Sequence, residues 1–301
     1  MFKPLRLIPD NPNITFLKIR FPAMIASAVL VLASLVMCFA PGLNFGIDFR
    51  GGILIEAKFS IAPDMGALRT ELNTLGLGQI TLQQIGTDAS DVMFRIAQQP
   101  GGDAGNQAAI AAVRGHFTGR VAEYRRVEMV GPQVGGELIT TSIYAVLLSI
   151  GGTLAYLWFR FDRSFSVAAI TALIHDVMMT LGFFALFHLD FDLSTVAAVL
   201  LISGYSLNDT VVVFDRIREN MRKYKSKPLL EVAHISLNET LFRTMMTSGT
   251  TLLVLISLFV FGGEVIRNFT TALIFGILIG TYSSIYVATP VWLLLEKRRA
   301  A

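Results

Sequence analysis

Apolar residues along the chain gather into six runs, at residues 21–39, 138–159, 165–187, 193–214, 245–261 and 269–295. About 20 apolar residues in a helix cross the roughly 30 Å hydrocarbon core of a bilayer. The pattern therefore predicts a polytopic α-helical membrane protein with six transmembrane helices, the last long enough to tilt or to run past the membrane. Between the first two runs the period changes. Ile53, Ile55, Ala57 and Phe59 recur at every second position, as in a strand, and Leu68, Leu72 and Leu75 recur at helical spacing behind Pro63 and Asp64. A weaker strand over 79–85, a stronger one with Val92, Phe94 and Ile96, and a loop over 98–106 follow. A second helix with Ile110, Val113 and Phe117 and a strand over 121–130 complete the order βαββαβ, a small α+β domain of ferredoxin-like type. The chain is thus expected to divide into 1–40 (first span), 41–137 (the α+β domain) and 138–301 (five further spans).

Composition agrees with membrane burial: 53% of the 301 residues are hydrophobic and 16% charged, against about 25% charged in soluble domains. Basic residues orient the spans. Lys3, Arg6, Lys18 and Arg20 precede the first, and Arg160 and Arg163 join the second to the third. Arg216, Arg218, Arg222, Lys223, Lys225 and Lys227 crowd the next such connection, and Lys297, Arg298 and Arg299 follow the sixth. The opposite short connections carry Arg267 against Asp190, Asp192 and Glu264. All basic clusters share one side if both termini are cytoplasmic, which puts 41–137 outside the cytoplasm. A net charge of +3 does not argue for a nucleic-acid partner, and none is expected. The single cysteine, Cys38, excludes an internal disulfide and any CxxC site. Bulky Leu35, Val36 and Met37 before it fit neither lipoprotein processing nor signal cleavage, so the first helix is expected to be retained.

Candidate chemistry lies inside the apolar runs, where an ionised side chain costs about 2.5–3.5 kcal/mol on insertion scales and so needs a role. His175–Asp176 sits mid-way along the third run, flanked at one turn by Thr171 and Thr180. It reads equally as an interhelical hydrogen-bonding pair and as a proton relay. In the fourth run Tyr205, Ser206, Asn208 and Asp209 form a polar stripe. Such a stripe faces the bundle interior or a water-filled path rather than lipid, and Asp209 is too short to snorkel far, so a proton-carrying role is favoured. Arg243 precedes the fifth run, followed by Thr244, Thr247, Ser248, Thr250 and Thr251. By position alone it reads as an ordinary positive-inside anchor, but a cation at a helix start opposes the macrodipole, which suggests a carboxylate partner, and Asp209 is the candidate. In the sixth run Ala272, Gly276, Gly280, Ser284 and Ala288 recur every four residues, a packing stripe that lets a helix approach closely. The α+β domain shows no His/Cys cluster, nucleophile elbow or phosphate loop, so its work is binding or mechanical and no cofactor or metal is expected.

Four segments resemble the SecF family: FGIDFRGG at 45–52, VGPQVGGEL at 130–138, GYSLNDTVVVFDRIREN at 204–220 and NETLFRTMMTSGTT at 238–251. The third is the most distinctive, and with the six-run layout the resemblance covers the whole chain. It implies a subunit of the bacterial inner membrane, with residues 41–137 periplasmic. With SecD, the Sec translocation channel and the channel's accessory membrane subunits, such a subunit uses the proton-motive force to promote export of precursor polypeptides. No chemical active site and no cofactor are implied beyond the proton as coupling ion, and the remaining contacts are with membrane lipid. Carried over by position, Asp209 and Arg243 match family proton-transport residues, and His175 and Asp176 match a family pattern of less defined role. Deprotonated Asp209 is expected to pair with Arg243, and protonation to break the pair. Gly46, Gly51, Gly52, Gly131, Gly135 and Gly136 act either as hinges of the outer domain or as tight turns at the membrane edge. Asp48 among them reads as a turn or capping residue.

Three other readings compete. A small-molecule or lipid exporter of the same transporter group normally carries a larger outer domain and both six-helix halves in one chain. A membrane aspartyl protease built on Asp176 and Asp209 lacks the GxGD pattern, having Ser206–Leu207–Asn208 before the aspartate. A passive assembly subunit would use the buried polar groups for packing only.

Overall fold

The computed structural model describes residues 12–78, 80–85, 89–263 and 266–300. Lys3, Arg6, Gln79 and Glu264 lie outside the described residues, as do the side chains of Arg298 and Arg299. The elements begin with α1 (Arg20–Met37), β1 (Asn44–Phe45), α2 (Ile47–Arg50), β2 (Gly52–Phe59), α3 (Met65–Thr74), β3 (Ile80–Gln84), β4 (Asp91–Ile96), α4 (Asp103–His116) and β5 (Val121–Val130). They continue with α5 (Pro132–Arg160), α6 (Arg163–Leu186), β6 (Asp190–Phe191), α7 (Leu193–Lys223), α8 (Leu229–Phe261), α9 (Arg267–Ser283) and α10 (Thr289–Ala300). Among the described residues six stretches are long and apolar enough to cross a membrane: Phe16–Ala40, Val134–Arg160, Arg163–Leu186, Leu193–Lys223, Leu229–Phe261 and Arg267–Lys297. The last joins α9 to α10 through a π-helical stretch, Ser284–Ala288.

Two helices run further than hydropathy predicts, which corrects the ends at 214 and 245. Their polar extensions persist because they hold each other. Arg216 Nε donates to Glu239 at 2.7 Å, and Asn220 Nδ2 to Glu239 at 2.6 Å and to Ser236 Oγ at 3.0 Å. Asn238 accepts from the Ile14 N–H at 2.8 Å, tying the lead-in of the first span to the same region. Helix α5 likewise begins before its apolar run, at Pro132, where a missing N–H leaves no helical bond unmade.

By internal contacts the chain divides into a helical unit (residues 1–44, 146–190 and 194–301) and an α/β unit (45–145 and 191–193). In the helical unit α6, α7 and the sixth span are central, with half of their apolar windows buried, against 6–17% for the other three. Glycines set the close crossings. A Cβ on Gly182 would lie 2.8 Å from Ser34 Cα, one on Gly276 2.4 Å from the Ile202 side chain, and one on Gly280 2.9 Å from Ser206 Cβ. The small-residue stripe of the sixth span therefore packs within this chain, against α7. At one end Phe165 stacks on Trp292 at 5.0 Å and meets Phe214 edge-on at 5.0 Å.

In the α/β unit the elements follow the order βαββαβ. The four strands lie in the order β3-β4-β2-β5, every neighbouring pair antiparallel. Strands β2 and β3 therefore run parallel with β4 between them. Ile53, Ile55, Phe59, Phe94, Leu68, Leu72, Val113 and Phe117 fill the core, each worth about 1.5–3 kcal/mol of burial. Asp64 caps α3 by accepting the Gly66 N–H at 2.9 Å. The loop expected over 98–106 is shorter, because α4 starts at Asp103. Gly102 takes the left-handed φ of 65° before it, and Asn106 turns back to accept the Gln99 N–H at 3.0 Å.

Candidate functional site

Asp176 on α6 is fully buried, and three side chains converge on its carboxylate. His175 Nδ1 lies 2.8 Å from Oδ1, Ser283 Oγ of α9 donates to Oδ2 at 2.7 Å, and Ser206 Oγ of α7 donates to Oδ2 as well. Thr180 Oγ1 donates to the Asp176 carbonyl at 2.8 Å, one turn on. A buried carboxylate is tolerated only when hydrogen-bonded, and bonds to an ionised acceptor are about twice as strong as neutral ones. The His175 ring is stacked on Tyr282, 6.2 Å between centroids, and its Nε2 has no hydrogen-bond partner among the described residues. The Tyr282 hydroxyl meets Ser27 Oγ at 3.0 Å and donates to the Ala23 carbonyl at 3.2 Å. The cluster thus ties α1, α6, α7 and α9 together through an acid and an imidazole able to exchange one proton.

The local fold explains the convergence. Gly280 lets Ser206 come close, and Ser283 and Ser284, successive residues where α9 gives way to the π-helical stretch, point to different neighbours. Ser283 reaches Asp176, while Ser284 Oγ lies 2.9 Å from Thr210 Oγ1 on α7. Single π turns inside α-helices are often found at functional sites. Thr289 Oγ1 donates to the Ser284 carbonyl five residues back at 2.9 Å, within the same widened turn.

Asp209, about one turn beyond Ser206 on α7, is 3% exposed. Ser248 Oγ of α8 lies 3.4 Å from Oδ2 and 2.9 Å from Thr281 Oγ1 of α9. The expected ion pair with Arg243 is not formed: no Arg243–Asp209 contact within 4.0 Å exists, and Arg243 is exposed on α8. Arg243 is also not at a helix start, since α8 begins at Leu229, so the macrodipole gives it no need of a carboxylate. Asn208 is exposed and stands outside the buried face, because a helical step of 100° turns it away from Ser206 and Asp209. Tyr205 OH donates to Thr251 Oγ1 at 3.3 Å instead.

The glycine motifs lie in the α/β unit. Gly51 and Gly52 have φ of 70° and 119°, and a Cβ on Gly52 would lie 2.5 Å from the Ile96 carbonyl oxygen. The Gly46 N–H donates to the Phe191 carbonyl at 2.9 Å. Asp48 Oδ2 accepts the N–H of Leu193, the first residue of α7, at 2.9 Å, a cap supplied from another segment. Gly135, in the first turn of α5, faces the Asp48 and Phe49 carbonyls, and Gly131 faces Asp103 Oδ1 at 3.0 Å. Gly51 and Gly52 thus supply positive φ, and Gly52 a close backbone approach as well.

Sequence reasoning missed Ser283, Tyr282, Thr281 and Ser27. The signal was present in the polar run Thr281–Tyr282–Ser283–Ser284 inside an apolar span, where Ser284 reads only as a small residue.

The family model described as "Protein export membrane protein SecD/SecF, C-terminal" matches residues 111–298, and the one described as "SecD/SecF GG Motif" matches residues 36–60. Curated relatives include the protein translocase subunit SecF of Rickettsia akari, 42% identical over 98% of this chain and 96% of its own length. Another is the protein translocase subunit SecF of Cereibacter sphaeroides, 46% identical over 97% of this chain and 92% of its own. Among solved structures, SecDF of Thermus thermophilus, titled a translocon-associated membrane protein, matches 98% of this chain with TM-score 0.87 at 34% identity. SecDF in a form titled super-membrane-facing matches with TM-score 0.73 at 35% identity. The chain spans about 40% of the length of those SecDF chains.

Proposed function

Because the chain belongs to the SecD/SecF family of protein-export membrane proteins, we propose that it promotes export of polypeptides across the bacterial inner membrane together with SecD and the Sec translocation channel, driven by proton flow. Family membership supports a role in protein export, as a multi-pass transport component rather than an enzyme. The finer reading rests on one observation: a fully buried Asp176 held by His175, Ser206 and Ser283 from three helices.

Protonation neutralises the carboxylate and weakens both hydroxyl bonds, which frees α7 and α9 to repack around Asp176. Asp209 follows on the same helix as Ser206, and its direct pairing with Arg243 belongs to the other arrangement. One charge crossing 100 mV carries about 2.3 kcal/mol, enough to move a two-state equilibrium about 50-fold. Two SecDF structures of near-equal identity to this chain but TM-scores of 0.87 and 0.73 fit a fold with more than one arrangement.

The test is Asp176→Asn and Asp209→Asn in cells depleted of the wild-type subunit. The asparagine side chain in Asp176→Asn retains an acceptor for the hydroxyls, so the bundle should assemble at normal levels while precursor export falls to that of depleted cells. Normal export with either variant, at normal subunit levels, would sink the proton-carrying role and leave the packing-only reading.

A further inference from the structure

The helical unit carries a second charged cluster that the Asp176 network does not use, at the end of the bundle where residues 161–162 join α5 to α6. An open cleft of about 640 Å³ there is lined by Arg160, Asp215, Arg218, Glu219, Arg222 and Lys223. Its carboxylates are already engaged. Arg160 Nη2 donates to both oxygens of Asp215, at 2.7 and 2.6 Å, and Glu219 pairs with Arg216 at 2.7 Å. Arg222 and Lys223 are exposed and form no ion pair among the described residues, so the lining keeps two cations in excess of its acids. Two guanidiniums are held in place rather than free: Arg160 and Arg218 both lie over the buried Phe161 ring, 4.8 and 5.5 Å from its centroid. A second cleft, of about 660 Å³, has Trp158, Phe161, Val167 and Leu295 as its apolar lining and Asp162, Arg163 and Ser164 as its polar lining, with Arg163 over Trp158 at 6.0 Å. Phe159, next to Trp158 in α5, is 89% exposed at the last turn of a membrane-spanning helix.

We propose that this pair of clefts binds an anionic phospholipid, its phosphate headgroup among Arg218, Arg222 and Lys223 and its acyl chains along Trp158 and Phe159. Basic pockets between helices at a membrane surface suit anionic headgroups, and arginine matches phosphate bidentately. Cations spread evenly to orient a helix would need neither the shared aromatic ring nor the concavity. An apolar shelf next to the cations selects a lipid over free phosphate.

The test uses the full chain in detergent and in nanodiscs, with dioleoylphosphatidylglycerol, dioleoylphosphatidylcholine of the same chains, and inorganic phosphate as probes, read by native mass spectrometry. Phosphatidylglycerol should be retained in preference to phosphatidylcholine. The double variant Arg222→Gln/Lys223→Gln, at exposed positions that leave Arg160–Asp215 intact, should lose about five-fold in retention per charge removed. Adding Arg218→Gln should lose more, with the double variant carrying the test if the triple does not fold. Equal binding of the two lipids, unchanged retention in the double variant, or full displacement by equimolar inorganic phosphate would each overturn the proposal.

Discussion

At Asp176 two hydroxyls from two other helices and the neighbouring imidazole share one carboxylate, and no residue carries the fold and the proposed chemistry together more directly. Asp209 is buried with weaker support, a single hydroxyl at 3.4 Å. Among the described residues Arg243 makes no side-chain bond that holds the helices together, so Arg243→Ala should change thermal stability by no more than about 0.5 kcal/mol while abolishing export. An equal loss of stability and export would instead make it a structural residue. In the α/β unit, Arg120 donates to Glu71 at 2.6 Å and holds its carboxyl below the usual glutamate range, with His116 adding to the effect at 3.5 Å. A depressed carboxylate stabilises the fold above its ordinary range of about 4.3 and loses that contribution as pH falls through its folded value. Melting temperature against pH should therefore fall less on the acid side in Glu71→Gln than in the unaltered protein. The effect should be small, since the pair is partly exposed. Asp209 was legible in the sequence as a charge out of place in an apolar run, and Arg243 only through the family motif, since the macrodipole argument for it fails once α8 begins at Leu229. Ser283 was not, because a serine among glycines and alanines reads as a small packing residue until its partner is known.

Among the elements, the helix crossings make the sharpest demand on residue type. A Cβ on Gly182 would lie 2.1 Å from Ser34 Oγ and 2.8 Å from Ser34 Cα, so α1 itself must move to admit it. Gly182→Ala should cost about 1–3 kcal/mol by overpacking, measured by denaturant unfolding in detergent. Gly151→Ala, with open space around its helical position, should be neutral or slightly stabilising. Equal effects of the two would mean that the α1–α6 crossing is looser than it stands here. The polar ends of α7 and α8 escaped hydropathy for a plain reason. Arg216, Asn220, Asn238 and Glu239 are unfavourable in lipid one at a time, but they satisfy one another and the chain near Ile14 where the helices meet beyond the apolar runs. Strands β2 to β5 and helices α3 and α4 were readable from their periods, apart from the start of α4, which turns on one left-handed glycine and the Asn106–Gln99 bond, while the short α2 was not.

For the molecule as a whole, the clustering of basic residues predicts its orientation, and labelling checks it. In a Cys38→Ser background, Ser60→Cys should react with a membrane-impermeant maleimide added outside spheroplasts, and Lys225→Cys only after the membrane is opened. Both positions are exposed, so failure to label would reflect sidedness rather than burial. Reversed labelling would overturn the placement of both termini in the cytoplasm.

Length and polarity alone already required six spans and one folded insertion. A bilayer admits about 20 apolar residues per helix and leaves every polar group inside it needing a partner. That constraint acts on each segment separately, which is why it can be read from a linear chain. Which polar groups find each other is a matter of helix rotation and of close approach at Gly182, Gly276 and Gly280, and these depend on all the helices packing at once. The site accordingly centres on Asp176 with Ser206 and Ser283, and Arg243 stands off from Asp209 rather than pairing with it. Asn208, next to the aspartate in the chain, faces away from it on the helix.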